Sequence, residues 1–504
     1  MYIRTGNKIL KRHTLKEQND EKIRYIIIGV CAALLSSCGN DWLDLKPSTA
    51  IETDGSLTEL RDFEFVLNGA YNSMQSSNYY GANMMCYGDL TGDDMKSYKS
   101  TSTNVNYYTF KFNKTNGPSE FWEVYYGIGK NINILLRDIE KIELVPDRII
   151  TTPKMESLTE QVYYNDLKGE ALAIRALLLF DMTRLYGYPY TKDNGASLAV
   201  PIIDQVVNDK NVKPSRNTTA QCYKAVVDDL TQAISLLRNV KKEGKINKWA
   251  AMTLLSRVYL YMGKDKEALE TATEAIKGAE STGYKLWTND EYAKIWATPF
   301  NSELLFEIVN LTTDSPGKSS IGYLCTKYKM IATNKFWKKY LKNMPNDVRG
   351  QMVSTASKSK PFCLKYPAQG DKSYEDANIP VFRLSELYLN AAEAAVKRGD
   401  ISNTRKYLAP IYARTGKSLD DVADKDITLD LVLEQRRIEF WGEGQRFFDL
   451  MRNNKRVVRT DCLSEVPEEA RSFDWNYYKI VLPVPKHEME YNENMVQNPE
   501  YELH

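Results

Sequence analysis

Two stretches of this chain carry the residue pattern of a tetratricopeptide-like helix pair, and this pattern constrains the fold more than any other feature of the sequence. In residues 249–276, small residues such as Ala268 and Ala272 stand where the two helices of such a pair cross closely. In residues 384–411 the pattern recurs, with Thr404 where alanine is usual. Two such copies predict a helical-repeat scaffold interrupted by long insertions, which usually carry recognition. Two ordinary helical hairpins are the alternative.

The rest of the chain also favours helices. Apolar residues recur every three or four positions, the spacing that gives a helix one buried face. This pattern predicts a first helix near Leu57–Tyr71 and longer helices at Phe121–Ile139, Asn165–Tyr186, Ala220–Leu237, Lys248–Met262, Lys266–Ala279, Leu384–Lys397, Ser402–Arg414 and Thr428–Met451. Aromatic and β-branched residues predict short strands at Tyr107–Phe112 and Tyr478–Val484. The predicted fold is mainly α, with helix pairs, long irregular insertions and a few short β-strands.

The N-terminus has the pattern of an export signal. An apolar run of 11 residues, Tyr25–Leu35, follows basic residues and is too short to span a bilayer, which takes about 20 apolar residues. The run ends in Leu35-Ser36-Ser37-Cys38, which resembles a bacterial lipobox. We therefore predict that residues 1–37 are a signal peptide and that lipidated Cys38 anchors the mature chain to a membrane. The alternative is a buried N-terminal helix with an incidental cysteine.

Composition argues against several classes of function. The formal net charge is +1, with 67 Lys and Arg against 66 Asp and Glu, so there is no basic excess to neutralise a nucleic acid backbone. The three histidines, His13, His487 and His504, are too few for a histidine zinc site or a hydrolase triad. The cysteines show no CxxC spacing. We expect no nucleic acid partner, no metal and no cofactor.

One predicted helix carries enough carboxylates to suggest catalysis. Glu434, Glu439, Glu443 and Asp449 alternate with arginines along Thr428–Met451, and two carboxylates, one with a raised pKa, are what a glycoside hydrolase uses. Opposite charges three or four residues apart are also the ordinary pattern of a solvated or ion-paired helix face. We favour ion pairs, and the sequence predicts a protein that is not an enzyme.

The loop of residues 79–108 is rich in aromatic and short polar side chains. A sugar ring has an apolar face of C–H groups and a rim of hydroxyls, so tyrosine rings beside carboxylates suit it. The loop is therefore a candidate glycan site, although its rings could instead be packing anchors. The candidate ligand-binding residues in it are Tyr79, Tyr80, Asp93, Asp94 and Tyr107.

Seven segments, taken in order, resemble the SusD/RagB family of nutrient-binding outer-membrane lipoproteins. The chain has Glu434-Gln435-Arg436 where the family pattern usually has Glu-Arg, a small departure that leaves the likeness intact. The segments are Leu43–Thr49 (LDLKPST), Phe121–Leu136, Gly169–Pro189, the helix pair beginning at Lys245, Phe382–Gly399, Glu434–Arg452 and Leu482–Tyr501.

The resemblance implies four tetratricopeptide-like helix pairs packed against a more irregular region. It also implies a lipoprotein of the cell outer membrane, facing the exterior, that captures a glycan for a SusC-like TonB-dependent transporter. In such proteins the segment after the third helix pair adds to the ligand site, and here it carries Tyr284, Trp287 and Trp296. Oligopeptide capture, a surface glycoside hydrolase and a pure assembly scaffold are the alternatives.

The same resemblance gives a division of the chain. After the signal peptide, we expect one compact body made of three regions. These are an N-terminal SusD-like region at 38–240, a helix pair with an aromatic insertion at 241–300, and a C-terminal RagB/SusD region at 301–504.

Overall fold

The predicted helix pairs form the frame of the computed structural model. The structure describes residues 57–502 apart from 208, 210, 328 and 355–359. The predicted signal peptide and the lipidation residue Cys38 lie outside the described residues. From Leu57 onward the chain forms one compact unit.

The helices carry most of the regular structure, and their bounds are close to those predicted. Among the described residues, no helix is both long and apolar enough to cross a membrane. The α-helices are α1 (Leu60–Met74), α2 (Asn83–Leu90), α3 (Val105–Thr109), α4 (Glu120–Ile139), α5 (Glu160–Tyr186), α6 (Tyr190–Asp193), α7 (Thr219–Leu236), α8 (Lys248–Tyr261), α9 (Asp265–Ser281), α10 (Tyr292–Ile295), α11 (Ile321–Thr326), α12 (Asn334–Phe336), α13 (Leu384–Lys397), α14 (Ile401–Tyr412), α15 (Leu429–Glu439), α16 (Arg446–Arg452) and α17 (Lys486–Tyr491).

The strands are short and lie in the insertions between helices. They form two-stranded antiparallel ladders, in which β1 pairs with β5, β2 with β3, β4 with β8, β6 with β7 and β9 with β10. Their bounds are β1 (Met95–Ser97), β2 (Ile149–Thr151), β3 (Ser157–Thr159), β4 (Leu304–Ile308), β5 (Met330–Ala332), β6 (Val353–Ser354), β7 (Phe362–Cys363), β8 (Ile379–Arg383), β9 (Val457–Val458) and β10 (Ser472–Phe473).

The long helices pack as a continuous array. Along the array α1 packs on α4, α4 on α5, α5 on α7, α7 on α8, α8 on α9, α9 on α13 and α13 on α14. The two helix pairs that the sequence predicts, α8 with α9 and α13 with α14, therefore lie side by side although an insertion of about a hundred residues separates them in the chain. Ala268 of α9 and Ala394 of α13 pack together with Leu260, all at most 1% exposed, because small side chains let helices approach closely. The mainly α fold is confirmed.

Three local predictions were wrong. The predicted helix Thr428–Met451 is two helices, α15 and α16, because the residues between them include Gly442 and Gly444 at φ 81° and 71°, outside helical geometry. The predicted strand at Tyr107–Phe112 overlaps α3 instead, and Phe110 has a left-handed φ of 52°. The predicted strand at Tyr478–Val484 begins with a 3₁₀ turn. In both segments aromatic rings make edge-to-face contacts, Phe110 with Phe473 and Tyr478 with Tyr501.

Candidate functional site

The three tyrosines predicted to bind ligand in the first loop are buried. Tyr79 and Tyr80 are 5% and 2% exposed, and their hydroxyls donate to the same carboxylate oxygen of Asp181 at 2.6 and 2.8 Å. The Tyr107 hydroxyl donates to Glu120. These rings fasten the loop to helices α4 and α5, so the expectation that they present a free stacking face is corrected by their burial.

The two aspartates predicted in the same loop are also committed to internal contacts. The Nε of Arg446 lies 2.8 Å from Asp93 Oδ1, and the Nε of Arg437 lies 2.9 Å from Asp94 Oδ1. Both arginines come from the helix that the sequence singled out as rich in charge. These aspartates therefore join the loop to α15 and α16, and their oxygens are occupied by guanidinium groups.

The aromatic residues predicted after the third helix pair are buried, and Trp287 and Trp296 belong to one hydrophobic core cluster. Tyr284, Trp287 and Trp296 are at most 4% exposed. The Nδ2 of Asn247 donates to the Tyr284 hydroxyl at 2.9 Å, and Trp287 Nε1 donates to Asn301 Oδ1 at 2.9 Å. The two indole rings are 5.0 Å apart in an edge-to-face contact. Burial corrects the expectation of exposed rings here as well.

The charged residues of α15 and of the segment after it take part in a buried ion network and do not form a solvated face. Arg383 of β8 contacts Glu303 at 2.7 Å, Glu439 at 2.9 Å and Glu443 at 2.8 Å, and Arg414 contacts Glu303 at 2.7 Å. Burial alone would raise the pKa of Glu439, but Arg414 and Arg383 outweigh it and hold this pKa far below its usual range. A carboxyl in that state cannot supply the proton that a glycosidase acid must hold.

Asp89 and Glu307 are among the carboxyls whose pKa values are raised, and both are enclosed. Burial raises the pKa of Asp89 to about 8 and that of Glu307 to about 7. Their side chains belong to residues 1% and 2% exposed, so neither offers its proton to a ligand at the surface. Asp89 accepts a 3.0 Å hydrogen bond from the Gly444 amide through one oxygen, while its other oxygen has no partner in the described structure.

Asp89 gives a pH-dependent prediction. Because its folded-state pKa is raised above the unfolded value near 4, its neutral form is compatible with the fold and stability falls as pH rises toward and through 8. Asp89→Asn stays neutral at every pH. We expect the free energy of unfolding of this variant, relative to that of the parent, to rise by at least about 2 kcal/mol between pH 5 and pH 9. One unit of pKa shift is worth about 1.4 kcal/mol. Urea unfolding at both pH values measures the change.

The control for that experiment is Asp290→Asn, because Asp290 is exposed. It should leave the pH dependence of unfolding unchanged. If Asp89→Asn showed the parental pH dependence, ionisation of Asp89 would not be linked to folding.

Arg459 closes the neck of the first loop. Its guanidinium donates to the backbone oxygens of Leu90 (3.0 Å), Thr91 (2.7 Å) and Gly92 (2.9 Å) on one side and of Tyr108 (2.7 Å) on the other. Burial lowers the pKa of Arg459 to about 10, which leaves it charged at neutral pH. The two ends of the loop are therefore tied together by one side chain.

Beyond this neck, three half-buried tyrosines lie on insertions that are connected by hydrogen bonds or ring contact. We name Tyr98, Tyr323 and Tyr374 the tyrosine patch. The rings of Tyr323 and Tyr374 are 6.5 Å apart, with an angle of 34° between their planes. The Tyr98 amide donates to the Lys329 carbonyl (3.2 Å), and the Lys329 amide donates to the Leu324 carbonyl (2.9 Å), so Tyr98 is joined to the helix that carries Tyr323.

Lysine side chains lie over the rings of the tyrosine patch. Lys327 Nζ is 5.4 Å from the centroid of the Tyr374 ring. Lys360 Nζ and Lys99 Nζ are 4.6 and 5.6 Å from that of Tyr98. The patch thus combines aromatic faces with cationic hydrogen-bond donors.

Sequence reasoning included Tyr98 in the aromatic loop but did not select it, and it missed Tyr323 and Tyr374. Tyr323 and Tyr374 lie in segments without a regularly spaced run of aromatic residues, so no local pattern points to them. The usable signal was the density of lysines between residues 315 and 360.

A second aromatic surface is a groove of about 350 Å³ near the C-terminus. It is lined by Trp122, Tyr126, Tyr491 and Met495 among others. Tyr491 is 80% exposed, whereas Trp122 is buried. Among the described residues, no group of three or more His, Cys, Asp or Glu is arranged to hold a metal ion.

An array of helix pairs with long insertions is the fold of a helical scaffold protein whose insertions form the exposed surface. A model described as "SusD family" matches residues 342–501, and one described as "Starch-binding associating with outer membrane" matches residues 41–260. A solved Bacteroides vulgatus structure is 47% identical, covers 89% of this chain and 100% of its own, and superposes with a TM-score of 0.82. The chain belongs to the SusD family, as its motifs predict.

Two further relatives extend the comparison. A SusD superfamily protein of Bacteroides vulgatus is 36% identical, with 88% of this chain and 100% of the other covered and a TM-score of 0.79. The starch-binding protein SusD of Bacteroides thetaiotaomicron is 28% identical over 134 residues, which are 26% of this chain and 22% of that protein.

Proposed function

We propose that this protein captures a glycan at the tyrosine patch and is not an enzyme. The observation that carries the proposal is the patch itself, because three partly exposed rings on irregular insertions suit the apolar faces of sugar rings. Two of the matches, the starch-binding protein SusD and the family model described as starch-binding, are named for starch, which supports a carbohydrate ligand. The enclosed carboxylates support binding without hydrolysis.

The proposed capture step depends on rings that are already in place. Tyr98 follows β1, whose ladder with β5 is fixed by hydrogen bonds, and Tyr323 and Tyr374 hold one another by ring contact. A ring that is ordered before binding loses little conformational freedom when a sugar stacks on it. The lysine ammonium groups beside the rings supply donors for hydroxyl oxygens.

Delivery to a SusC-like TonB-dependent transporter of the outer membrane is part of this proposal. Lipidation at Cys38 would hold the chain at that membrane, on the outer face of the cell. An exposed apolar edge supports a large protein partner: Phe65, Ile149 and Met155 are 56%, 65% and 81% exposed. These residues lie at α1 and at the β2–β3 hairpin, on elements other than those of the tyrosine patch.

The tyrosine patch gives the test of the proposed function. The double variant Tyr98→Ala, Tyr374→Ala is expected to weaken glycan binding by about 1 to 3 kcal/mol, the scale for losing binding anchors, because it removes two stacking faces. The measurement is calorimetric titration of parent and variant against a panel of plant, host and microbial glycans, with oligopeptides included.

Tyr491→Ala is the matched control, since it removes an exposed ring from the other aromatic surface. It should bind glycans like the parent. Loss of binding in Tyr491→Ala with unchanged binding in the patch variant would move the site to the groove beside Trp122. Binding of peptides but not of glycans, or release of reducing ends from a bound glycan, would contradict the proposal.

A further inference from the structure

The charge of this chain is unevenly distributed, and the imbalance centres on the tyrosine patch. The whole chain has 67 Lys and Arg against 66 Asp and Glu. Residues 315–360 contain nine Lys and one Arg but a single acidic residue, Asp347. That aspartate is buried and bound to Arg349 at 2.7 Å, so it does not offset the surface charge of the lysines. Tyr323 lies inside this segment.

Most of the lysines in and beside this segment are not neutralised by protein carboxylates. Lys96 and Lys339 are paired, with Asp461 and Glu434 respectively. Other lysines of this region make no ion pair with any residue that the structure describes. These are Lys99, Lys327, Lys329, Lys335, Lys338 and Lys342.

The acidic residues close to the patch include Glu375, Asp376 and Glu465, and Glu465 lies beside Ser100, next to Lys99. Glu375 and Asp376 follow Tyr374 in a 3₁₀ turn. Asp376 is engaged internally, since it accepts hydrogen bonds from Ser315 Oγ at 2.6 Å and Ser373 Oγ at 3.0 Å. Lys99, Lys327 and Lys360 lie over the patch rings, whereas Glu375 and Glu465 add two negative charges beside Lys327 and Ser100. The lysine charges outnumber them, so the local field is positive.

We infer that the glycan taken by the tyrosine patch is anionic and carries carboxylate or sulfate groups on its sugar rings. This inference rests on the proposed function and adds the chemical class of the ligand. A sugar that stacks on Tyr98 or Tyr374 places its ring substituents beside Lys99 or Lys327, because these ammonium groups already lie within 5.6 Å of the ring centroids. A neutral glycan would leave these charges without partners, whereas a uronate or sulfate would pair with them.

Matched polymers test this inference, with the purified full chain as the protein. Polygalacturonate is compared with its fully methyl-esterified form, and dextran sulfate with dextran, so that each pair differs in charge on one backbone. We expect at least one anionic polymer to bind at least about tenfold more tightly than its neutral counterpart, with affinity falling as salt rises. The two pairs distinguish carboxylate from sulfate.

The double variant Lys99→Gln, Lys327→Gln is expected to lose about tenfold in affinity for the preferred anionic polymer, the sum of two exposed ion pairs. The control is Lys224→Gln, Lys266→Gln, which removes two exposed lysines from α7 and α9. The control should bind like the parent. Circular dichroism and unfolding curves verify that both variants fold.

Each alternative outcome has a distinct meaning. If neutral and anionic polymers bound equally and the patch tyrosines were still required, the charge inference would fall while glycan capture stood. If no glycan bound, both would fall. Equal binding of single-stranded DNA and the anionic glycan would also overturn the inference, because charge alone would then explain it.

Discussion

Replacing Arg383 with methionine is expected to destabilise the protein by about 3 to 5 kcal/mol, the range for removing one member of a buried ion pair. Arg383 is 1% exposed and contacts Glu303, Glu439 and Glu443. Methionine keeps a similar length but leaves these buried carboxylates with fewer counter-charges. Urea unfolding followed by circular dichroism measures the change.

Arg456→Met is the matched control, because the Arg456 side chain is 53% exposed and pairs with Asp474. Exposed pairs contribute less than about 1 kcal/mol. A destabilisation below about 1 kcal/mol in the Arg383 variant would mean that the network is replaceable and that its carboxylates tolerate protonation or hydration.

Trp287→Ala is the second variant with a large expected effect, a loss of about 3 to 5 kcal/mol in the free energy of unfolding. The indole is 4% exposed, its Nε1 bonds to Asn301, and it packs against Tyr292 and Trp296. Truncation therefore removes packing, leaves a cavity and removes the indole hydrogen bond to Asn301. Sequence reasoning expected the opposite, weaker ligand binding with little loss of stability.

Trp287→Phe is the companion variant, because it keeps one aromatic ring in the cluster while it removes the indole donor and part of the ring volume. We expect it to cost less than Trp287→Ala and to bind the ligand like the parent. Unchanged stability of Trp287→Ala combined with lost affinity would restore the original interpretation of this residue as a ligand contact.

The helices were predictable because their signal is local. Apolar spacing and small crossing residues such as Ala268 act within a few turns, and the side-by-side packing of the two helix pairs follows from the same small residues. The break between α15 and α16 has a local cause too, in two glycines of positive φ. There the apolar spacing on both sides of the break predicted one continuous helix across the glycines.

The site was less predictable because burial depends on distant partners. The buried Tyr79 is hydrogen-bonded to Asp181, about a hundred residues away in the chain. Glu439 is paired with Arg383 and Arg414, which come from other segments. An aromatic residue in a loop looks the same in sequence whether its ring is enclosed or exposed. Only the packing of the insertions decides this. It leaves Tyr98 partly exposed and encloses Tyr79, Tyr80 and Tyr107 of the same loop.

The tie that Arg459 makes between residues 90–92 and Tyr108 holds the two ends of the first loop together. Between these ends, Asp93, Asp94 and β1 are packed on other elements, whereas residues 99–101 are exposed. Extra residues in this exposed stretch, beside Tyr98, therefore cost little more than loop-closure entropy, about 0.6 kcal/mol for each doubling of length. Related proteins that keep this arginine can therefore differ in this stretch, and so in the ligand they bind, at a small cost in the free energy of folding.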